Sequence, residues 1–403
     1  MWQKIKNIYH FFIAFFCNLL FFFPGKSLKV IGVTGTDGKT TTVNLIYHIL
    51  KTNGKKVSMI SSLGAIIGNK AYPIGFHVTT PEPFLLQRLL FKAKRAGNEY
   101  FVLEVTSHSI DQNRVWGVPF EIGVITNLTS EHLDYHKTYD NYVKTKEQLL
   151  KIAKVAVANK DDGAYQLLSQ AKNTKDSSNW ITYGFDEGSE VNLQNFDLKN
   201  VNIFGEFNKY NILAAVSVCR KLGLSDEEIR KALVSFDLPK GRLDFVYKGG
   251  FVVMIDFAHT PNAFEQLLKS LRPIVKGKII HVFGSAGERD SQKRPYLGDI
   301  SMSFSDIVIL TTEDPRSEDV NSIIEEIDSG IDNPKAQVLK IVDRREAITA
   351  AIGMAKKNDL VLITGKAAES SMNLGQGEEP WDEYEVVENI LADLNLKMKN
   401  EKN

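Results

Sequence analysis

The chain has few cysteines and no excess charge, and each of these features excludes some classes of protein. Its only cysteines, Cys17 and Cys219, are too far apart in sequence to indicate a disulfide framework or a metal-binding cluster, which suits a reducing cytoplasm. Lysine plus arginine and aspartate plus glutamate balance at 49 each, and no long basic run is present. The charge therefore gives no indication of a nucleic-acid partner.

The rest of the composition is that of a globular protein with more than one domain. Hydrophobic residues make up 43% and charged residues 24% of the 403 residues, values that exclude a disordered chain. This length exceeds that of a domain built around one ordinary hydrophobic core, so we expect two or three domains. The sequence has no internal repeat and no low-complexity segment.

The most informative segment is residues 29–42, which read KVIGVTGTDGKTTT. A short apolar run predicts a buried strand, which is followed by a glycine-bearing turn and a helical pattern. Gly35 and Gly38 allow backbone N–H groups to close around phosphate oxygens. Lys39 supplies a positive charge and Thr40 a hydroxyl for Mg²⁺, while the helix N-terminus adds a favourable dipole. The segment therefore predicts a phosphate-binding loop.

Alternating strand-like and helix-like patterns predict an α/β fold with two domains. Residues 28–240 show the βαβ pattern of a doubly wound parallel sheet of the P-loop ATPase type. Inside this range, the polar stretch 173–202 predicts an antiparallel flap or edge. The alternation restarts near residue 240, so residues 241–403 predict a Rossmann-like C-terminal domain. Residues 1–27 are a separate hydrophobic segment.

Polar residues follow two further predicted strands of the first domain. Glu104 lies at the end of one strand, where a doubly wound sheet places its ligands and where a carboxylate can hold Mg²⁺. The segment 126–136, TNLTSEHLDYH, follows the next strand, and His132 within it could ligate a second cation. Lys146, judged by composition alone, is a lysine on a helix surface.

Charged loops also follow four successive strands of the second domain. They are 256–261, 284–290, 313–316 and 365–369, and together they predict one ligand-binding edge. Arg289 and Arg316 are suited to carboxylate recognition, because the guanidinium fork matches carboxylate geometry.

The N-terminal segment allows three interpretations. Residues 8–23 read IYHFFIAFFCNLLFFF, follow Lys4 and Lys6, and have no small-residue cleavage site after them. The run falls short of the ~20 residues that cross a bilayer. It could be a helix packed on the first domain, an interfacial membrane anchor, or a membrane span or export signal. The last would place a nucleotide-binding protein away from cytoplasmic ATP.

Taken in this order, the motifs resemble those of the Mur ligase family, whose phosphate loop has the form Thr-Gly-Thr-x-Gly-Lys-Thr-Thr. The resemblance extends from Leu28 to Leu391, nearly the whole chain. It implies ATP and Mg²⁺ as cofactors and places Thr40 and Glu104 on Mg²⁺. It also implies His132 at a second metal and Lys146 as a carbamate that bridges to Mg²⁺. The ATP-binding residues that it implies are Gly35, Thr36, Asp37, Gly38, Lys39, Thr40, Thr41, Asn208, Asn211, Arg242, Asp256 and His259.

The resemblance also assigns residues to two other substrates. Positions that match those holding a muramoyl dipeptide are Thr79, Thr80, Thr106, Ser107, Gln112 and Arg114. Positions that match those holding an incoming amino acid are Arg289, Glu313, Asp314, Pro315, Arg316, Gly365 and Glu369. Arg316 favours meso-diaminopimelate, because an arginine can pair with the distal carboxylate that lysine lacks. The catalytic group would be Lys39, Glu104, His132, Lys146 and Arg242.

The chain departs from the family pattern at three places. Only about 30 residues precede the phosphate loop, too few for the family's N-terminal uridine-binding domain. The specificity loop reads Glu-Asp-Pro-Arg where the diaminopimelate form has Asp-Asn-Pro-Arg. Residues 365–369 read Gly-Lys-Ala-Ala-Glu in place of Gly-Lys-Gly-His-Glu.

We therefore expect an ATP-dependent amide ligase of peptidoglycan synthesis that acts through an acyl phosphate. Its acceptor would be UDP-N-acetylmuramoyl-L-alanyl-D-glutamate and its amine a diamino acid. We expect a cytoplasmic monomer with small-molecule substrates, either free or held at the inner face of the membrane by residues 8–23. The alternatives are a folylpolyglutamate-type ligase or one with a lipid-linked acceptor, and a nucleotide-binding regulator without ligase activity.

Overall fold

The computed structural model describes residues 2–172, 179–332 and 337–400. The chain divides into two compact units, Met1–Pro239 and Lys240–Asn403. Each unit is built around one main β-sheet. The predicted α/β class, with parallel sheets in both halves, is confirmed.

The first unit begins with helix α1 and then alternates strands with helices. Its elements are α1 (Trp2–Leu20), β1 (Lys29–Thr34), α2 (Lys39–Thr52), β2 (Val57–Ser61), β3 (Gly64–Ile67), β4 (Lys70–Tyr72), α3 (Pro83–Arg95), β5 (Tyr100–Glu104), α4 (Ser107–Asp111), β6 (Phe120–Ile125), α5 (Leu133–His136), α6 (Tyr139–Ile152), β7 (Val155–Asn159), α7 (Tyr165–Lys172), β8 (Trp180–Tyr183), α8 (Glu206–Lys221) and α9 (Asp226–Val234).

The eight strands of the first unit lie in the order β4-β3-β2-β5-β1-β6-β7-β8. Strand β1 pairs in parallel with both β5 and β6, so the phosphate loop leaves the middle of the sheet. Strands β3 and β4 add an antiparallel hairpin at one edge, which we did not predict because the strands are only four and three residues long. At the other edge β8 pairs in parallel with β7. The prediction of an antiparallel flap or edge is therefore right in placing 180–183 at an edge and wrong about its direction, whereas 173–178 lie outside the described residues.

Both faces of this sheet are buried against helices, as the continuous apolar strands require. Along β1, Ile31 and Val33 face one hydrophobic core, to which α2, α8 and α9 contribute. Val30 faces the opposite core, to which α3 contributes. This arrangement fixes the strand ends, and therefore the loops that follow them, at a single edge.

Helix α1 packs on the first unit through one of its faces. The rings of Phe11 and Phe15 lie 5.0 and 5.7 Å from the ring of Trp116. The Asn18 side-chain amide donates to the backbone oxygen of Trp116 at 2.8 Å. This agrees with the first of the three interpretations of the segment. Among the described residues, no helix combines the length and the apolarity needed to cross a membrane.

The second unit repeats the alternation of strands and helices. Its elements are β9 (Asp244–Lys248), β10 (Val252–Asp256), α10 (Pro261–Leu271), β11 (Ile279–Phe283), α11 (Arg294–Phe304), β12 (Ile307–Leu310), α12 (Val320–Asp328), β13 (Gln337–Lys340), α13 (Arg344–Met354), β14 (Leu360–Thr364), β15 (Ser371–Asn373), β16 (Glu378–Pro380) and α14 (Glu383–Asn400).

The main sheet of the second unit has the order β13-β12-β11-β14-β10-β9. All of its pairs are parallel except the pair of β10 with the edge strand β9. We did not predict β9, β13, β15 or β16, because these short strands lack a continuous buried apolar run. The four central strands β10, β11, β12 and β14 match predicted ones, and their ends carry the four charged loops.

Candidate functional site

The phosphate loop connects β1 to α2 and needs glycine at two points. Gly35 has φ +150° and Gly38 has φ +77°, which is a left-handed conformation. A Cβ atom on Gly35 would overlap the hydroxyl of Thr126, and one on Gly38 would overlap the amide of Asn211. Both positions therefore require glycine for conformation and for space.

Side chains from the end of β6 hold this loop in shape. The Thr126 hydroxyl donates to the Asp37 carbonyl at 2.7 Å, and the Asp37 amide donates to Asn127 Oδ1 at 2.9 Å. The Thr36 hydroxyl lies 2.9 Å from the hydroxyl of Tyr142 on α6. The sequence motif did not identify these supports, because they come from elements that are distant in sequence.

A hydroxyl and carboxylate pair lies at the first turn of α2. Thr40 Oγ1 lies 3.1 and 3.0 Å from the two carboxylate oxygens of Glu104. Ser62 adds its hydroxyl, 3.0 Å from Thr40 Oγ1, and its backbone amide, which donates to Glu104 at 2.9 Å. Glu104 is only 2% exposed. Carboxylate and hydroxyl oxygens are the ligands that Mg²⁺ prefers, so this cluster fits the cation that the phosphate loop implies.

Lys146 is buried on α6, so the interpretation of it as a surface lysine is wrong. Its exposed fraction is 2%, its Nζ atom donates to the Gly35 carbonyl, and the ring centroid of Tyr142 lies 4.6 Å from that atom. Burial, with a smaller effect from the charge of Lys39, lowers the pKa of Lys146 well below its usual range. A lowered pKa increases the share of unprotonated amine, which is the form that attacks carbon dioxide.

Lys39 and the asparagines of α8 complete the surroundings of the phosphate loop. The Lys39 Nζ atom donates to the Thr36 carbonyl at 2.7 Å, so its charge lies over the loop. Asn211 Nδ2 donates to Asn208 Oδ1 at 3.0 Å, and the Thr42 hydroxyl donates to Asn211 Oδ1 at 3.4 Å. The structure thus brings both asparagines to the start of α2.

The residues assigned to the dipeptide substrate surround the end of β5. The Thr80 hydroxyl donates to the Glu104 carbonyl at 2.9 Å and accepts from the Thr106 amide at 3.1 Å. Arg114 donates to the Thr80 carbonyl at 3.2 Å and to Gln112 Oε1 at 2.8 Å. These four residues are therefore joined to the strand that carries the Glu104 carboxylate. Thr79 lies next to them in sequence and is half-buried.

An aromatic cluster surrounds His132, the residue predicted to ligate a second cation. The ring centroids of His132 and His108 are 4.9 Å apart, and Tyr135 lies 4.2 Å from His108. His136 Nε2 lies 3.0 Å from the Ser107 hydroxyl, and burial lowers the pKa of His136. His132 itself adopts φ +56° at the start of α5, an uncommon conformation that this packed cluster maintains.

In the second unit, a buried ion triad joins two of the charged loops. Lys366 Nζ is 2.9 Å from both carboxylate oxygens of Asp314 and 2.7 Å from Glu369. The Asn373 amide also donates to Asp314 at 2.9 Å. Lys366 is fully buried, so the triad fixes the loops that follow β12 and β14.

Arg316 and Glu313 lie on the same loop as Asp314. The Arg316 backbone has φ +53°, and its guanidinium donates to the Gly287 carbonyl at 2.7 Å. Burial raises the pKa of Glu313 to about 7. Gly365 has φ +104°, and a Cβ atom there would overlap the Glu313 carboxylate. Pro315 lies against Gly287, while Arg289 is exposed on the same loop as that glycine.

The loop that follows β10 is held by the carboxylate of Asp256. Its oxygens accept from the amides of Leu243 and Ala258, both at 2.7 Å. His259 Nδ1 lies 2.9 Å from the Phe257 carbonyl, and the Arg242 guanidinium lies 4.5 Å from the Phe257 ring centroid. Asp256 thus organises the turn that presents Arg242 and His259.

Comparison with known families agrees with this geometry. The profile of the Mur ligase middle domain matches residues 33–219, and that of the Mur ligase, glutamate ligase domain matches residues 241–367. The chain belongs to the Mur ligase family, as its motifs predicted.

Its relatives include UDP-N-acetylmuramoyl-L-alanyl-D-glutamate–2,6-diaminopimelate ligase 1 of Clostridium acetobutylicum, which is 38% identical over 392 residues, 92% of this chain and 80% of that protein. The corresponding ligase of Aquifex aeolicus is 37% identical over 388 residues, 92% of this chain and 78% of that protein. These alignments cover no N-terminal domain of the relatives. The names of the relatives support the predicted class of ligase.

Solved structures agree with the fold. A diaminopimelate ligase of the same name matches with a TM-score of 0.61 and 28% identity, covering 91% of this chain and 79% of that one. The folylpolyglutamate synthase of Mycobacterium tuberculosis, complexed with ADP, matches with a TM-score of 0.70 and 17% identity, covering 91% and 93% of the two chains. The second likeness shows the fold alone.

Proposed function

We propose that this protein is an ATP-dependent ligase that joins meso-diaminopimelate to UDP-N-acetylmuramoyl-L-alanyl-D-glutamate. The observation that carries the proposal is the pair of Thr40 and Glu104 beneath a phosphate loop, with buried Lys146 donating to the carbonyl of that loop. The relatives at 38% and 37% identity are named for this reaction.

The reaction needs two transfers. A carboxylate oxygen of the acceptor attacks the γ-phosphorus of ATP, ADP leaves, and an acyl phosphate forms. The amine then attacks the acyl carbon, passes through a tetrahedral intermediate and releases inorganic phosphate and a proton. Lys39 and the N-terminus of α2 stabilise the negative charge that develops during the first transfer.

The metal site supports the same step. Thr40 and Glu104 would hold Mg²⁺, with Lys146 as a carbamate and His132 at a second cation. The cation would neutralise phosphate charge when bound. The lowered pKa of Lys146 supports carbamate formation, since it favours the unprotonated amine, and this amine lies next to the loop. From their match to the family motifs, we assign Asn208 and Asn211 to the base of ATP. Arg242, Asp256 and His259 are assigned to ATP on the same ground.

The loops of the second unit would bind the amino acid. The triad of Lys366, Asp314 and Glu369 holds the loop that carries Arg316. We assign Arg316 to the distal carboxylate of diaminopimelate, because its guanidinium can form a charge-assisted bidentate contact there. Arg289 on the neighbouring loop would bind the other carboxylate.

We also propose that the enzyme acts as a cytoplasmic monomer and that residues 8–23 contact the membrane peripherally. The support for the contact is the outer face of α1, where Phe12 is 53%, Phe16 61% and Leu20 60% exposed. A continuous apolar stripe of this kind is unusual on a protein surface that meets only water.

The test of the ligase proposal is phosphate release from ATP and Mg²⁺ with the UDP-linked dipeptide. Meso-diaminopimelate, L-lysine or no amine is added in parallel. We expect release that requires both substrates and is faster with diaminopimelate. In Arg316→Met this preference should fall by about 10–100-fold, the value of a lost charge-assisted contact, whereas the exposed control Arg345→Met should keep it. No release with any amine would contradict the acceptor and favour one without UDP.

A further inference from the structure

A basic pocket lies at the end of helix α1, in a part of the first unit remote in sequence from the phosphate loop. It has a volume of about 640 Å³ and lies between α3 and the β3–β4 hairpin. Its basic lining residues are Lys70, Arg88, Lys92 and Arg95, and Phe21, Phe91 and Tyr72 supply aromatic walls. None of these residues has a role in the proposed reaction.

The basic residues of this pocket have no acidic partners. Throughout residues 2–172, 179–332 and 337–400, no salt bridge pairs Lys70, Arg88, Lys92 or Arg95 with a carboxylate. Lys92 Nζ instead lies 5.0 Å from the Tyr72 ring centroid, and the Arg95 guanidinium 5.9 Å from that of Phe91. Four cations with no internal counter-charge favour an anionic ligand.

The spacing on α3 gathers these charges on one side of the helix. Arg88, Lys92 and Arg95 are separated by four and three residues, so their side chains project from one face. The two in the last turn also stabilise the C-terminus of α3. Arg88 is one turn further from that end, and Lys70 lies on the hairpin opposite, so helix stability does not account for the whole cluster.

The pocket is continuous with the apolar face of α1. Phe21, which follows α1 directly, lines the pocket, and its ring lies 5.9 Å from Phe91 and 5.5 Å from Phe84. Phe84 is half exposed, and Phe22, which follows Phe21 in the chain, is 78% exposed. Cationic and apolar surfaces therefore adjoin at one end of the helix.

Helix α1 packs on the rest of the unit through one face only, which leaves an apolar stripe exposed on its other face. Ala14 and Cys17 are buried against the unit, whereas Tyr9, Phe12 and Phe16 on the other side are exposed. The helix thus has two apolar faces, of which packing uses one. An apolar stripe with a basic pocket at its end has the chemistry of a surface for an anionic bilayer, where acyl chains meet phosphate headgroups.

We propose that the pocket of Lys70, Arg88, Lys92 and Arg95 binds the phosphate headgroup of an anionic lipid while the exposed face of α1 enters the bilayer interface. This inference rests on the membrane contact proposed above and adds a selectivity for anionic lipid. It gives the contact two separable components, one apolar and one electrostatic.

The experiment measures binding of the full chain to vesicles of phosphatidylcholine alone and of an equimolar mixture with phosphatidylglycerol. The triple variant Arg88→Gln/Lys92→Gln/Arg95→Gln should bind the mixed vesicles on the order of 100-fold less tightly, since each basic residue near an anionic surface contributes about fivefold. Its weaker binding to phosphatidylcholine should not change. The control Lys269→Gln/Lys276→Gln/Lys357→Gln removes three exposed charges from the second unit and should bind like the parent.

A second pair of variants tests the apolar component. Phe12→Ser/Phe16→Ser should lose binding to both vesicle types, whereas Val234→Ser/Ile274→Ser, which alters two other exposed apolar residues, should not. Added salt should weaken binding only to the mixed vesicles. ATP turnover and melting temperature, measured on every variant, show that each has folded.

The outcomes separate this proposal from the one on which it rests. Equal binding of the parent to both vesicle types, or unchanged anionic preference in the triple variant, would overturn the headgroup site and leave the membrane contact intact. No binding to either vesicle would overturn both. Self-association that Phe12→Ser/Phe16→Ser abolishes, without vesicle binding, would assign the apolar face to a second copy instead. None of these outcomes bears on the ligase reaction.

Discussion

The hydroxyl of Thr40 lies 3.1 and 3.0 Å from the two carboxylate oxygens of Glu104. Thr40 lies in the first turn of the helix after the phosphate loop, and Glu104 ends a neighbouring strand, so the parallel pairing of β1 with β5 brings them together. This relationship places a hydroxyl and a carboxylate beside the proposed phosphate loop, where the two groups could hold a cation.

Removing the hydroxyl of this pair should weaken the use of Mg²⁺. In Thr40→Val, the Mg²⁺ concentration for half-maximal phosphate release should rise at least about 10-fold, the effect typical of disturbed metal surroundings. Thr52→Val, at the exposed end of the same helix, is the control and should match the parent. An unchanged Mg²⁺ requirement in Thr40→Val would remove Thr40 from the metal site.

Lys146 should be essential for activity and unfavourable for stability. Lys146→Met should lower turnover at least about 100-fold, since even outer-shell metal partners contribute 10–100-fold. The control Lys144→Met, which alters an exposed lysine on the same helix, should keep the turnover of the parent. Because the native pKa of Lys146 is lowered, the unfolded chain holds its proton to higher pH than the native chain.

The sign of this linkage gives a second readout for Lys146. Between its native pKa and the ordinary pKa of lysine, the unfolded state binds the extra proton, so the free energy of unfolding rises with pH. In carbon-dioxide-free buffer, Lys146→Met should be at least as stable as the parent and should lose this rise. Urea unfolding across that pH range measures both. The same pH dependence in the parent and in Lys146→Met would contradict the lowered pKa of Lys146.

Glu313 should give the opposite pH dependence. Burial raises its native pKa from 4.5 to about 7, so the native state binds the extra proton between these values. Stability from this group is therefore complete below the lower value and is lost as pH rises through about 7, a difference of about 3 kcal/mol. In Glu313→Gln this decline should be absent. Equal pH dependence of the two proteins in urea unfolding would contradict the assignment.

Ala367 holds a backbone conformation that suits glycine, the residue found here in the family's Gly-Lys-Gly-His-Glu pattern. Its φ is +44°, which strains a residue with a Cβ atom by about 1–2 kcal/mol. Ala367→Gly should therefore stabilise the protein by up to about 1 kcal/mol after the greater entropy of unfolded glycine is subtracted. The control Ala355→Gly, at φ −64°, should be destabilising. A destabilised Ala367→Gly in thermal unfolding would disprove the strain.

The sequence predicted those parts of the fold and site that depend on local pattern. The strand, glycine turn and helix of residues 29–52 follow from apolar periodicity, and Glu104 follows from its place at a strand end. Ser62 could have been found by the same rule, because it follows the end of β2. The support of the loop by Asn127 and Tyr142 could not have been predicted from the sequence, since it arises from strand order and helix packing.

Burial and partner choice are also set by tertiary packing. Composition alone made Lys146 a surface lysine, because a helix pattern does not reveal which neighbour covers it; only the resemblance marked it. The apolar residues of α1 predicted a helix, yet only its packing on Trp116 shows which face remains exposed. Short edge strands such as β8 pair by position in the sheet, so their direction had no signal in the sequence.

The ligase reaction itself is tested by the mass of the product formed from ATP, the UDP-linked dipeptide and meso-diaminopimelate. We expect a UDP-linked tripeptide that accumulates in equal amount to ADP, and its loss in Glu104→Gln. ATP hydrolysis without a tripeptide, or a tripeptide formed equally well by Glu104→Gln, would contradict the proposed reaction and its site.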